Sequence, residues 1–213
     1  MAEKKLFIFD LDGTLADAYR AIEKSLNFTL NKLGLSKVSY KEAKQKVGRG
    51  DRIFMETFFP PEAIERALGI YRRHHKGALR MYSKLRPHAR WLLKQLKRKG
   101  KLAAIASNRP SYFTNLILTT LGIKKYFNMV LCADEIKSNK PNPKILNVLI
   151  KKLNVARRET VFIGDMDIDL ETAKRAKVDV VFIKGGSSHA AVAGKYKNAK
   201  VISSLRQILD LYE

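Results

Sequence analysis

Apolar residues along the chain gather in six short runs rich in Val, Ile and Phe. The runs lie at residues 5–9, 102–106, 129–133, 160–163, 178–183 and 200–202. Amphipathic segments of helix length alternate with them at residues 86–99, 111–121, 143–153, 170–176 and 203–212. Runs of this kind predict strands buried on both faces, and strand–helix–strand repetition predicts right-handed crossovers. We therefore expect an α/β fold with a doubly wound, parallel, Rossmann-like sheet covered by helices.

The alternation fails once, directly after the first strand. Residues 15–83 carry only helical signals, at 18–33, 40–47 and 61–79. Nearly seventy residues of helix are too many for a single crossover between neighbouring strands. We expect an inserted α-helical cap domain at residues 15–83 and a catalytic core formed by residues 1–14 and 84–213.

The chain is strongly basic, with 42 Lys and Arg against 20 Asp and Glu, a formal net charge of +22. Residues 15–83 hold 14 basic and 7 acidic side chains, and the remainder holds 28 and 13, so neither part concentrates the charge. Such a surface attracts anions, but without a basic tail or arm it does not define a nucleic-acid groove. Cys132 is the sole cysteine, which favours a reducing, intracellular setting. No apolar run approaches the length of a membrane span, so we expect a cytoplasmic protein.

Acidic residues cluster directly after two of the predicted strands. The first cluster is Asp10-Leu11-Asp12-Gly13-Thr14, and the second is Gly164-Asp165-Met166-Asp167-Ile168-Asp169. The carboxyl ends of parallel strands meet at one edge of the sheet, where α/β proteins bind their ligands. Carboxylates gathered there repel one another unless a cation lies between them, and hard oxygen ligands with open positions suit Mg²⁺.

Two further segments complete a candidate phosphate site. Ser107 and Asn108 follow the second predicted core strand and offer a hydroxyl and backbone N–H groups where a helix is about to begin. Lys140 precedes Pro141 in a turn that restricts the backbone, so its ammonium can be held as a fixed point charge.

These four segments, in this order, resemble the motifs of the haloacid dehalogenase-like hydrolase superfamily. The resemblance spans essentially the whole chain, and the helical insertion is similar to the cap of the phosphoglycolate phosphatase and β-phosphoglucomutase-like branch. It implies that Asp10 is the nucleophile that forms an aspartyl phosphate and that Asp12 is the general acid and base. It also implies Mg²⁺ held by Asp10, the Asp12 carbonyl and Asp165, with Asp169 in support.

The remaining roles follow from the same resemblance. Ser107, the Asn108 N–H and Lys140 would stabilise the oxygens of the transferring phosphoryl group. Thr14 would order the loop at the substrate phosphate, and Arg49, in Gly48-Arg49-Gly50, would reach an anionic group of the substrate. Arg109, directly after the second motif, is a further candidate for that contact.

Three functions are compatible with these residues. An acid at Asp12 implies a protonated leaving group, so we expect a phosphatase that hydrolyses a small phosphomonoester such as phosphoglycolate, a sugar phosphate or a nucleotide. Thr14 stands where the related mutases tend to have Val, which favours the phosphatase over a β-phosphoglucomutase-type phosphomutase. The third is a basic nucleic-acid-associated protein with vestigial catalytic residues. The expected partner is a small phosphorylated metabolite, with no membrane, and the chain is expected to be a monomer or weak dimer.

Some residues depart from the family pattern or invite a second interpretation. Met166 replaces the Ser or Thr that often follows Gly-Asp in the fourth motif, which removes one hydrogen bond near the metal. Asp167 is interpreted as an exposed helix start. His74 and His75 are adjacent on a helix, so they are expected to point apart and lie on a solvated face.

Overall fold

The protein contains a parallel six-stranded sheet and a separate two-stranded ribbon. A computed structural model describes residues 3–212. Its strands are β1 (Leu6–Phe9), β2 (Ala16–Asp17), β3 (Lys84–Leu85), β4 (Leu102–Ser107), β5 (Met129–Cys132), β6 (Thr160–Gly164), β7 (Asp179–Ile183) and β8 (Ala199–Ile202). The sheet has the order β5-β4-β1-β6-β7-β8, with every neighbouring pair parallel. The predicted doubly wound α/β fold is confirmed.

Ten α-helices accompany these strands among residues 3–212. They are α1 (Tyr19–Lys32), α2 (Tyr40–Gln45), α3 (Asp51–Glu56), α4 (Ile64–Tyr82), α5 (Ala89–Arg98), α6 (Ser111–Thr120), α7 (Ala133–Ile136), α8 (Lys144–Lys152), α9 (Asp167–Ala176) and α10 (Gln207–Tyr212). None of the helices described is long and apolar enough to cross a lipid bilayer.

The central strand β1 shows why short apolar runs formed this sheet. None of its four side chains is more than 1% exposed. Side chains alternate across a strand, so Phe7 and Phe9 pack against α5, α6 and α10 on one face. Leu6 and Ile8 pack against α8 and α9 on the other. Helices cover both faces, and β1 therefore has no polar side.

The helices α1–α4 form a bundle of their own, which we call the helical insertion (residues 19–82). The chain enters it through β2 and leaves it through β3, and these two strands pair antiparallel. Ile22, Leu26 and Leu30 recur every four residues along α1 and share a buried cluster with Leu68 and Tyr71 of α4. The insertion thus has its own hydrophobic core beside the sheet.

The structure differs from the sequence-based elements at residue 133. The apolar run at 129–133 predicted one continuous strand, but β5 ends at Cys132 and the short helix α7 begins at Ala133. The Glu135 carboxylate accepts the Cys132 backbone N–H at 2.8 Å, a contact that favours a helix start. Hydropathy alone does not register this cap.

Candidate active site

Three adjacent strands deliver the predicted motif residues to one edge of the sheet. Asp10 follows β1, Ser107 is the last residue of β4, and Asp165 follows β6. Strands β4 and β6 both pair with β1, so their carboxyl ends lie side by side. The first, second and fourth motifs, far apart in sequence, therefore meet at this edge.

The structure brings three of the predicted metal ligands together. Carboxylate oxygens of Asp10, Asp165 and Asp169 lie within 4.8 Å of one another, and all three residues are buried. The Lys140 ammonium contacts Asp10 Oδ1 and Asp169 Oδ1, each at 2.7 Å. One lysine against three carboxylates leaves an excess of negative charge in a buried place, which is costly without a further cation.

This donor set fits a hard divalent cation. Carboxylate oxygens are the ligands that Mg²⁺ prefers, and the three acids converge closely enough to share one ion. Among the residues predicted to hold it, Asp10 and Asp165 would supply carboxylate oxygens. The position of Asp169 against Lys140 places it beside them as a supporting group.

The electrostatics of the cluster reflect burial and mutual repulsion. Burial, together with the carboxylates of Asp169 and Asp165, raises the pKa of Asp10 well above its usual value, although Lys140 opposes the shift. Burial and Asp169 likewise raise the pKa of Asp165 to about 6. Burial disfavours the charge on Lys140, but Asp10 and Asp169 outweigh it and raise the pKa of its ammonium.

Asp165 is held by three hydrogen bonds from separate parts of the chain. Thr14 Oγ1 donates to Oδ1 at 2.9 Å, and the Tyr19 hydroxyl and the Ser187 N–H donate to Oδ2 at 3.2 and 2.8 Å. Thr14 is fully buried, and its hydroxyl binds Asp165 rather than pointing towards a substrate. Sequence reasoning missed Tyr19 and Ser187, because no motif marks a tyrosine in a helix or a serine in a loop.

Gly186 lies against Asp165 so closely that no side chain fits there. A Cβ at this position would lie 1.9 Å from Asp165 Oδ2. We expect Gly186→Ala to displace the carboxylate and weaken Mg²⁺ binding by about tenfold or more, as loss of groups that orient a metal ligand does. Isothermal titration with Mg²⁺ measures the effect. Gly194→Ala, with nothing within 4 Å of the added carbon, is the matched control, and equal affinities for both variants would contradict the expectation.

Asp12 is paired with an arginine that the sequence only weakly marked. Arg109 Nε donates to Asp12 Oδ2 at 2.7 Å, and both side chains are mostly buried. The other oxygen, Asp12 Oδ1, is buried without a hydrogen-bond partner. Such an oxygen is costly to bury unless a substrate or solvent supplies the missing contact.

Arg109 also contacts the helical insertion through His75. Its Nη1 donates to His75 Nε2 at 2.8 Å, and His75 is fully buried. The expectation that His74 and His75 point apart on a solvated face is wrong, since the Nδ1 atoms of both rings contact the hydroxyl of Ser25 at 3.1 and 3.0 Å. Adjacent residues diverge on a helix, but flexible χ angles allowed both rings to reach α1.

His75 should make stability fall in mild acid. Burial lowers the pKa of His75 well below 6.5, and the charges facing it, Arg109 and His74, lower it further, while Tyr71 stacks on its ring. Below pH 6.5 the unfolded chain therefore takes up a proton that the buried ring of the native protein does not bind. The contribution of His75 to the free energy of unfolding is complete above that pH and falls below it. We expect this one group to cost about 1.4 kcal/mol at pH 5.5.

Urea denaturation at pH 7.5 and 5.5 measures this contribution. Between these pH values the unmodified chain should lose about 1.4 kcal/mol more stability than His75→Gln, which has no titrating ring. His88→Gln, at an exposed histidine, should retain the full pH dependence. Parallel pH dependence for the unmodified chain and His75→Gln would contradict the assignment.

Ser107 and Asn108 bind other protein groups around the site. Ser107 Oγ accepts the Arg109 N–H at 3.1 Å. Asn108 Oδ1 accepts the Lys140 N–H at 2.7 Å, and its Nδ2 donates to the carbonyls of Gly48 and Lys140 at 2.9 and 3.2 Å. The Asn108 side chain therefore ties the Lys140 turn to the helical insertion.

A cavity of about 50 Å³ lies between this edge of the sheet and the helical insertion. That volume holds roughly four water molecules, so it suits a small ligand. Among the residues that line it are Asp10, Asp12, Ser107, Lys140 and Arg109 from the core and Ile22, Phe54, Tyr71 and His75 from the insertion. The carboxylates thus face an otherwise largely apolar wall.

Arg49 does not line this cavity. It is exposed, and its backbone carbonyl accepts the Asn139 Nδ2 at 3.1 Å. It borders a separate open depression with Arg72, Arg73 and Lys76. The structure thus separates Arg49 from the other predicted site residues and brings Arg109 to them.

The fourth motif begins helix α9 and contacts the insertion. Asp167 is exposed at the first residue of α9. Met166 donates its N–H to Asp169 Oδ2 at 3.1 Å. Its side chain packs against Gly48 so closely that a Cβ added to this glycine would lie 2.3 Å from Met166 Sδ. In place of the hydroxyl expected from the family resemblance, this chain therefore has an apolar contact with the insertion.

Comparisons with known proteins agree with this architecture. The family described as haloacid dehalogenase-like hydrolase matches residues 7–183. The chain is 31% identical to a phosphoglycolate phosphatase of Colwellia psychrerythraea over 206 residues, which cover 92% of this chain and 91% of that protein. It is 30% identical to a phosphoglycolate phosphatase of Aquifex aeolicus over 81% of both chains. The crystal structure of a predicted phosphoglycolate phosphatase from Haemophilus somnus superposes with a TM-score of 0.94 at 23% identity, covering both chains completely.

Proposed function

Because the chain belongs to the haloacid dehalogenase-like hydrolase family, we propose that it is a Mg²⁺-dependent phosphatase of a small phosphomonoester. The observation that carries the proposal is the convergence of Asp10, Asp12 and the buried acidic cluster on one small cavity. The names of its relatives, phosphoglycolate phosphatases, support a substrate of that size.

Asp10 is the proposed nucleophile. Its carboxylate lines the cavity and attacks phosphorus, so that the phosphoryl group passes to Asp10 as an aspartyl phosphate while the bond to the leaving oxygen breaks. Lys140 holds Oδ1 at 2.7 Å and thereby fixes the rotamer of the carboxyl group. Mg²⁺, held by Asp10, Asp165 and the Asp12 carbonyl, would supply the positive charge that lets a carboxylate approach a phosphate.

Asp12 is the proposed general acid and base. It protonates the leaving oxygen and then removes a proton from the water that hydrolyses the acyl phosphate. Its unpartnered Oδ1 supports this role, since a buried oxygen without a partner is available to a ligand. Ser107, the Asn108 N–H and Lys140 surround the same cavity as donors for phosphoryl oxygens.

The helical insertion is the proposed cap over the reaction. It contributes Phe54, Tyr71 and His75 to the cavity wall and meets the core through the Asn108–Gly48 hydrogen bond. A cap in contact with the core excludes bulk water, and it must open for substrate to enter.

The free, buried Cys132 is consistent with a cytoplasmic setting, although nothing in the mechanism uses it.

Phosphate release tests the proposal against its two alternatives. Phosphoglycolate, sugar phosphates and nucleotides are each incubated with Mg²⁺ and with a chelator, and inorganic phosphate and isomerised sugar phosphates are measured. The proposal expects Mg²⁺-dependent phosphate release from a small phosphomonoester. Isomerisation without phosphate would identify a mutase. Salt-dependent RNA or DNA binding without phosphate release would identify a nucleic-acid-associated protein.

A further inference from the structure

The carboxylate of Asp165 is held between two loops that follow strands of the sheet. The first-motif loop (residues 10–15) follows β1, and its Thr14 hydroxyl donates to Asp165 Oδ1 at 2.9 Å. The second loop (residues 184–189) follows β7, and its Ser187 N–H donates to Asp165 Oδ2 at 2.8 Å. Each loop thus holds one oxygen, so the orientation of the carboxylate depends on the distance between the two loops.

Arg86 bonds to both loops at once. Its Nη1 donates to the Gly13 carbonyl, and its Nη2 donates to the Lys184 carbonyl at 2.6 Å. Each of these carbonyls lies within three residues of a group that holds Asp165. A guanidinium is planar and rigid, so the two bonds fix the distance between the two carbonyls. Arg86 therefore sets the spacing on which the orientation of Asp165 depends.

The main chain of Arg86 is itself fixed where the chain leaves the helical insertion. Arg86 directly follows β3, which pairs antiparallel with β2. Its backbone N–H donates to the Leu15 carbonyl at 2.9 Å. The guanidinium is therefore presented to the two loops from a main chain that is already tied to the first-motif loop.

The positive charge of Arg86 does not explain its place beside the acidic cluster. Like charges repel, so a guanidinium near the cluster reduces the attraction of that cluster for Mg²⁺. The Lys140 ammonium already contacts Asp10 and Asp169, at 2.7 Å each. Charge and geometry therefore predict opposite effects on Mg²⁺ binding when Arg86 is removed.

We propose that Arg86 is a positioning residue of the Mg²⁺ site, which fixes the spacing of the two loops and thereby orients Asp165 towards the cation. The inference rests on the proposed function, because it takes Asp165 as a ligand of Mg²⁺. Arg86 is not among the residues that line the cavity. Its loss should therefore weaken metal binding and leave phosphoryl transfer intact once the cation is bound.

Isothermal titration with Mg²⁺, without substrate, tests the inference on two variants. Arg86→Gln removes the charge and the bridge, whereas Arg86→Lys keeps the charge but has no planar fork to hold two carbonyls at a fixed distance. We expect Arg86→Gln to weaken Mg²⁺ binding by about tenfold or more, and Arg86→Lys to weaken it less. If charge alone mattered, Arg86→Gln would bind Mg²⁺ more tightly and Arg86→Lys would be unchanged.

Arg90→Gln is the matched control. Arg90 lies in α5, and its Nη1 and Nη2 also donate to two main-chain carbonyls, those of Gly122 and Leu121, at 3.1 and 2.6 Å. Both carbonyls follow α6 and lie outside the two loops that hold Asp165. This variant loses a similar pair of bonds and should keep its Mg²⁺ affinity. Urea denaturation with a chelator shows whether each variant is folded.

Phosphate release separates the positioning of the metal ligand from a general loss of structure. In Arg86→Gln the Mg²⁺ concentration at half-maximal turnover should rise by the same factor as the dissociation constant. Turnover at saturating Mg²⁺ should stay close to that of the unmodified protein. A loss of turnover that saturating Mg²⁺ does not restore would contradict a role limited to the metal ligand.

The outcomes separate this inference from the proposed function. Unchanged or tighter Mg²⁺ binding in folded Arg86→Gln, or an equal loss in Arg90→Gln, would overturn the inference and leave the phosphatase intact. If Arg86→Gln does not fold, Arg86→Lys decides alone: weaker binding supports the inference, and unchanged binding overturns it. Absence of Mg²⁺ binding and of phosphate release in the unmodified protein would overturn the proposed function itself.

Discussion

Replacing Asp10 by Asn should reduce phosphatase turnover by about 10⁴-fold or more, as loss of a catalytic nucleophile does in other enzymes. The amide has the shape of the carboxyl group but cannot attack phosphorus as an anion. The fold should persist, because Asp10 is a buried acid whose pKa is raised by burial, so removal of its charge relieves a cost. Lys140 retains Asp169 as its partner.

Phosphate release from one phosphomonoester measures the loss of turnover, and circular dichroism measures whether the fold persists. Asp167→Asn is the matched control, since Asp167 belongs to the same acidic region but is exposed at the start of α9. It should keep nearly full activity. An Asp10→Asn protein with more than a tenth of normal turnover would remove Asp10 from the role of nucleophile.

Replacing Lys140 by Met should destabilise the metal-free protein by about 3–5 kcal/mol, because it leaves buried charges without their partner. The ammonium contacts Asp10 and Asp169, and all three side chains are nearly inaccessible to water. Methionine fills a similar volume, so lost packing contributes little. Turnover should fall as well, because the nucleophile is no longer held.

Lys4→Met provides a comparison at a second buried lysine. Lys4 contacts Asp179 at 2.7 Å, but the Asp179 side chain is 47% exposed and can be rehydrated when the lysine is lost. Urea denaturation with a chelator should therefore show a clearly smaller loss for Lys4→Met. Addition of Mg²⁺ should recover part of the Lys140→Met loss, because a divalent cation supplies countercharge to the same acids. Equal losses for the two variants would contradict this view of the cluster.

Most of the fold could be predicted because its strands are buried on both faces. A strand such as β1 has no polar alternation to obscure it, so each apolar run appears in the sequence as an uninterrupted block. The errors occur where a local hydrogen bond decides the backbone. The short helix α7, for example, depends on one carboxylate, Glu135, whose contact does not appear in the hydropathy pattern.

The candidate site was predictable to the extent that topology brings strand ends together. Asp10, Ser107 and Asp165 each end or follow a strand, and the parallel order of β4, β1 and β6 makes them neighbours. Residues contributed by helices and loops carried no such signal. Tyr19 and Ser187 reach Asp165 from distant segments, and the adjacent pair His74 and His75 looked like a polar surface.

The sequence by itself determined the order of strands and helices along the chain and the positions of the acidic motifs at strand ends. These properties are local, since they depend on which residue types follow one another. The tertiary structure decided which arginine meets the site. Arg109 and Arg49 have the same side chain, but packing of the insertion against the core buries Arg109 between Asp12 and His75 and leaves Arg49 in solvent. Burial and partner geometry arise only when segments far apart in the chain come into contact.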